Sequence, residues 1–106
     1  MIRRSFRLTL KEGKYDEYKK KHDEIWPELS QILTDIGISN YSIHFDQNNN
    51  SLIEYMELSD DNNFNKMEDF EIVKKWNIFM RDLLVTVSND DPSPVVEELI
   101  PVFYHK

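Results

Sequence analysis

The chain has 106 residues, 40% hydrophobic and 31% charged, enough to bury one core and too few for two, so residues 1–106 read as a single domain. Only two glycines leave no room for a glycine-rich phosphate loop, and the lack of cysteine excludes disulfides, thiolate nucleophiles and zinc–thiolate sites. A formal charge of -7 repels polyanions, which argues against nucleic acid and for a neutral small molecule as the ligand.

From Ile2 to Leu10, the apolar residues Phe6, Leu8 and Leu10 alternate with Arg3, Ser5, Arg7 and Thr9, the pattern of a half-buried strand that Lys11-Glu12-Gly13 ends. Met1-Ile2-Arg3-Arg4 leads into this alternation and not into an apolar run, so neither a secretory signal nor a membrane span is expected, and the cytoplasm is the expected compartment. A helical stripe follows from about Lys14 to Ile36: Tyr15, Tyr18, His22, Ile25, Leu29, Ile32, Leu33 and Ile36. Pro27 cannot donate to the carbonyl of Asp23, and the expected result is a kink that curves this helix around the core. Gly37 ends the helix.

Tyr41, Ile43 and Phe45 then alternate with polar residues, and Leu52 to Leu58 gives a further strand. Between them Gln47-Asn48-Asn49-Asn50 is a turn suited to left-handed backbone, so residues 39–58 form a hairpin. Asp60 or Asp61 is expected to cap a short helix holding Phe64 and Met67, and Asp69 to cap a second carrying Ile72, Val73, Trp76, Phe79, Met80, Leu83 and Leu84, which turns Trp76 inward. Ser88 to Pro94 has two prolines among turn formers and reads as a loop, possessing the look of a lid. Leu99 to Tyr104 reads as a last strand, placed at a sheet edge or bulge by Pro101. The order β-α-β-β-α-β is that of an α+β, ferredoxin-like sandwich with two helices on one sheet face. The uncovered face is expected to pair with a second copy, which makes a homodimer, a dimeric alpha-beta barrel.

Residues four apart on a helix lie one turn above each other, so Tyr18 and His22 share a face and Trp26 trails slightly around it. An imidazole moves protons near neutral pH, a phenol hydrogen-bonds a hydroxyl, and an indole face stacks on the C–H side of a pyranose. The same spacing also describes the buried face of an ordinary amphipathic helix, with His22 as a satisfied core residue. Trp76 joins from the second helix, and Tyr41 from the sheet if its alternation phase faces the helices. The three histidines, 22, 44 and 105, have no metal-ligand spacing, and no serine sits in a nucleophile turn.

The chain opens on MIRRSF, has Tyr18 and His22 followed by Ile25-Trp26-Pro27-Glu28-Leu29, then Asn40-Tyr41-Ser42-Ile43 and Lys75-Trp76. Ser93-Pro94-Val95 and the ending Glu98-Leu99 with Val102-Phe103-Tyr104 follow. By these blocks it resembles the L-rhamnose mutarotase family from end to end. The resemblance implies a cofactor-independent enzyme that interconverts the anomers of L-rhamnose, with His22 matching the proton donor and Tyr18, Tyr41 and Trp76 matching sugar contacts. Asn77 departs from the pattern, where the family often has a second tryptophan, so L-fucose or a related deoxysugar is an alternative substrate. The group that takes the second proton is open between Tyr18, a carboxylate such as Glu98, and water. Two rivals use the same architecture: a cofactor-free monooxygenase acting on flat aromatic substrates between Trp26 and Trp76, and a ligand-binding module with no catalytic role for His22.

Overall fold

A computed structural model describes residues 1–106 and contains four strands, β1 (Ile2–Thr9), β2 (Ile38–Asp46), β3 (Ser51–Leu58) and β4 (Glu97–Leu99). Three α-helices, α1 (Tyr15–Asp23), α2 (Pro27–Ile36) and α3 (Glu71–Met80), join a 3-10 helix at Phe64–Asp69. The strands form one antiparallel sheet in the order β2-β3-β1-β4, the ferredoxin-like topology. Phe6, Leu8, Leu52, Met56 and Leu58 lie on one sheet face and meet Tyr18, Ile36 and Met80 in a single core cluster.

The helix expected over residues 14–36 is two helices, not one curved one. Pro27 has no N–H to continue α1, and a residue before proline is driven out of the helical region, so Trp26 is extended (φ -62°, ψ 130°) and Pro27 becomes the first residue of α2. α2 ends on Gly37 at φ 104°, where a Cβ would collide with the Ser59 hydroxyl. The hairpin turn uses Asn50 at φ 55°, as the asparagine run predicts.

Pairing between β2 and β3 shifts between Ser39 and Ser42, with Asn40 at φ 46°. This bulge inserts one residue and reverses the inward–outward phase of the strand. Ile38 therefore points at the helices before the bulge, and Tyr41, Ile43 and Phe45 do so after it. That answers the phase question for Tyr41.

Other expectations are corrected. Neither Asp60 nor Asp61 caps a helix: Asp60 accepts from the N-terminal amine at 2.7 Å, and the Asn62 side chain accepts from the Phe64 N–H instead. Asp69 does not cap α3, whose N-cap position is Phe70 without a side-chain hydrogen bond. Leu83 and Leu84 are buried but lie past the end of α3, in a segment tied to the end of β1 by Val85 N–H donating to the Thr9 carbonyl and to the residue after Leu10 by Lys11 N–H donating to the Leu83 carbonyl. The last strand is only Glu97–Leu99, at the sheet edge beside β1 as expected, but Pro101 lies two residues beyond it and is not what puts it there. Ion pairs Arg4–Glu98 and Arg7–Glu97 hold it there, and Ile100 to Lys106 continues as exposed chain outside the sheet.

Candidate active site

Between α1, α3 and the inner face of the sheet lies a cavity of about 750 Å³, within the usual range for small-molecule sites. Tyr18, His22, Tyr41, Trp76 and Asn77 all line it. Trp26 does not. The extended conformation forced on it by Pro27 swings its indole off the α1 face, and it packs edge-on to Trp76 at 5.0 Å and beside Phe79 at 5.1 Å. Trp26 therefore backs the wall that Trp76 presents and forms no part of the lining itself.

The helical spacing that pairs Tyr18 with His22 puts their rings 4.3 Å apart. One turn also brings the His22 Nδ1 to 3.1 Å from the Tyr18 carbonyl oxygen. A carbonyl only accepts, so Nδ1 carries the hydrogen, and in the neutral ring Nε2 holds the lone pair. Nε2 has no protein partner and is not sealed off, since no buried side-chain nitrogen or oxygen is left unpaired in the molecule. The Trp76 ring stands edge-on to the imidazole at 5.4 Å. Burial lowers the His22 pKa below its usual 6.5, opposed by its hydrogen bond to Tyr18 and by Asp23.

Tyr18 is 6% exposed, and burial followed by the charge of Glu54 raises its phenol well above the ordinary value of 10.0. Tyr41 keeps 36% of its surface accessible, toward the cavity, while surrounding protein still desolvates the phenol and shifts it upward. Its hydroxyl donates to Glu54 Oε2 at 2.8 Å. Asn77 donates to Glu68 at 3.1 Å, and both line the cavity.

Glu54 is the lining residue that the sequence reading missed. An acid in a strand reads as a solvated face, yet Leu52, Met56 and Leu58 share its parity and were the available signal that it points inward. Burial raises its pKa, partly offset by the Tyr41 hydrogen bond. Glu98, considered above as a proton acceptor, is not in the cavity: Arg4 holds it in a two-pronged contact at 2.8 Å for each bond and keeps its pKa low. No group of three or more His, Cys, Asp or Glu side chains is assembled for a metal ion.

The fold and the site define an α+β enzyme of ferredoxin-like topology whose cavity combines aromatic walls with groups able to move protons. The family model described as L-rhamnose mutarotase matches residues 3–105. An L-rhamnose mutarotase of Lachnoclostridium phytofermentans is 42% identical over 104 residues, covering 98% of each chain, and one of Tolumonas auensis is 41% identical with the same coverage. The crystal structure of an L-rhamnose mutarotase from Formosa agariphila superimposes over 100% of both chains with a TM-score of 0.90 at 40% identity. The chain belongs to the L-rhamnose mutarotase family.

Proposed function

We infer that this protein interconverts the α and β anomers of L-rhamnopyranose by acid–base ring opening and closure. Family membership over the whole chain gives the reaction class, and the observation that carries the mechanism is the placement of His22. Its Nδ1–H is tied to the Tyr18 carbonyl, and its Nε2 is unpartnered at the wall of an aromatic cavity.

Protonation of this ring adds a hydrogen at Nε2, the atom free to reach the endocyclic oxygen. The imidazolium gives that proton to the ring oxygen as the C1–O5 bond breaks and the anomeric hydroxyl gives its own proton to a base. Rotation about C1–C2 presents the other carbonyl face, and reclosure returns the proton of O5 to Nε2 while the base returns one to O1. The lowered pKa leaves His22 mostly neutral at pH 7 and makes its imidazolium a stronger acid, so turnover through this form falls as pH rises. Trp76 supplies an apolar wall for the C–H face of the sugar, and the Tyr18 and Tyr41 hydroxyls lie within the lining to meet its hydroxyl groups.

The test is anomer exchange followed by saturation-transfer NMR with L-rhamnose, L-fucose and D-galactose side by side. L-Rhamnose is the expected preferred substrate, and His22→Ala should slow its exchange on the order of 100-fold or more while the thermal unfolding transition persists. Wild-type exchange no faster than the uncatalysed reaction would defeat the reading. We also propose that the protein works as a homodimer in the cytoplasm; the exposed apolar chain after β4 supports the first part, with Ile100, Val102 and Phe103 at 87%, 96% and 75% accessible.

A further inference from the structure

We propose that Glu54 is the second proton-transfer group of this site, taking the proton of the anomeric hydroxyl while His22 protonates the ring oxygen. The proposal rests on the mutarotase reading and deepens it.

The cavity is lined by three carboxylates besides those of the distant surface, and only one of them is available. Asp23 is exposed and accepts from Lys19 at 2.7 Å, and Glu68 is exposed and engaged by Asn77. Glu54 sits on the floor, in the middle of β3, flanked across the sheet by Phe6 on β1 and Ile43 on β2. No cation pairs with it, and its one protein hydrogen bond is the Tyr41 hydroxyl on Oε2. Oε1 has no partner and is not sealed from the cavity. A carboxylate desolvated among apolar groups without a counter-ion costs stability, and such a cost is characteristic of groups kept for function.

Its neighbours suit the role. Tyr41 holds one oxygen of the carboxylate and leaves Oε1 unpaired on the sheet side of the cavity, and His22 of α1 lines the same cavity with Nε2 unpaired. A hydroxylated ring bound there has one such group to meet from the sheet and one from the helix layer. The ionisable groups that interact with Glu54 are Tyr18 from α1 and Tyr41 from β2, and His22 of α1 lines the same cavity. Tyr15, Lys19 and Asp23 of α1, His44 of β2 and Glu68 of the 3-10 helix also line the cavity, and α2, α3, β1 and β4 contribute no ionisable side chain to it.

The proton balance closes. Imidazolium at His22 protonates O5 as the C1–O5 bond breaks; the O1–H proton passes to Glu54 Oε1 as the C1=O1 double bond forms. The open-chain aldehyde then faces neutral His22 and protonated Glu54. After rotation about C1–C2, O5 attacks C1, His22 recovers its proton and Glu54 returns one to O1. The active form of the pair carries a single proton, so turnover declines on the acid side as Glu54 protonates and on the alkaline side as His22 deprotonates.

The experiment measures L-rhamnose anomer exchange against pH, by saturation-transfer NMR with the buffer rate subtracted, for wild type, Glu54→Gln and Glu54→Asp. Expected results are a two-sided profile in wild type, and in Glu54→Gln a kcat lowered on the order of 100-fold, little change in KM and no acidic limb. Glu54→Asp keeps a carboxylate and should retain the acidic limb at an intermediate rate. A structural role through Tyr41 alone would leave the acidic limb in place in Glu54→Gln, whose amide oxygen still accepts that hydroxyl. Full kcat with an intact acidic limb in Glu54→Gln overturns the proposal, and so does a wild-type profile lacking that limb, whether or not the variants fold. Wild type inactive on L-rhamnose would instead overturn the mutarotase reading.

Discussion

Burial pushes His22 and Glu54, two ionisable groups of one cavity, in opposite directions along the pH scale. For His22 the folded value lies below the usual 6.5, so its contribution to stability is present above that pH and is lost as pH falls through the folded value. For Glu54 the folded value lies above 4.5, so its contribution is present below that pH and is lost as pH rises through the folded value. Ionised Glu54 thus costs stability under the conditions in which a base is needed. Glu54→Gln removes the buried charge and keeps an acceptor for the Tyr41 hydroxyl, so the variant should melt above wild type near neutral pH. The gap should narrow as pH drops from about 7 to about 4, where wild type also loses the charge. Paired thermal melts across that range check this, and a variant less stable than wild type at pH 7 would contradict the desolvation account.

At the scale of elements, the β2 bulge decides whether the site exists, because it turns Tyr41 toward the cavity and thereby gives Glu54 its only hydrogen-bond donor. Asn40 occupies the left-handed region at φ 46°, and its side chain donates to Glu57 at 2.8 Å. A β-branched residue there meets the left-handed penalty, so Asn40→Val should cost about 1–2 kcal/mol. The melting temperature should drop by several degrees and KM should rise as Tyr41 loses its place. Asn40→Gly, which tolerates the backbone angle, should keep KM near wild type; equal KM changes in both variants would detach the bulge from the site. The bulge also marks the limit of what the chain reveals by pattern. Period-two alternation locates β1, β2 and β3, and the i, i+4 pair Tyr18 and His22 is legible because a single turn of helix fixes it. The spacing of Trp26 from His22 misleads because it is counted past Asp23, where α1 stops ahead of Pro27. Glu54 was missed because one acid in a strand is ambiguous until its partners across the sheet are known. The cap residues were misjudged because several Asp and Asn compete within a few positions, and local competition of that kind is settled by which backbone N–H each can reach.

Across the whole molecule, the apolar surface is not spread evenly. The inner sheet face is covered by helices, whereas Ile100, Val102 and Phe103 follow β4 with most of their surface open. Tyr104 lies with its ring 3.5 Å from the guanidinium carbon of Arg3, whose parity with Ser5 and Arg7 puts it on the sheet face turned away from the helices. The chain end thus leads toward the uncovered face, where Ile53 and Tyr55 are half-buried among polar neighbours. Two copies related by a two-fold axis would cover both uncovered faces and both ends at once, with each patch meeting its own equivalent. A chain ending at Leu99 should therefore sediment as a monomer at concentrations where the full chain sediments as a dimer. Dimer formation also makes the melting temperature rise with protein concentration, and the shortened chain should lose that dependence. Since the groups assigned to proton transfer, His22 and Glu54, come from one chain, the shortened protein should keep anomer exchange per site at 25 °C to the extent that it stays folded. Sedimentation equilibrium on both forms decides the matter: a full-length chain that stays monomeric at high concentration leaves the apolar end without the partner argued for it.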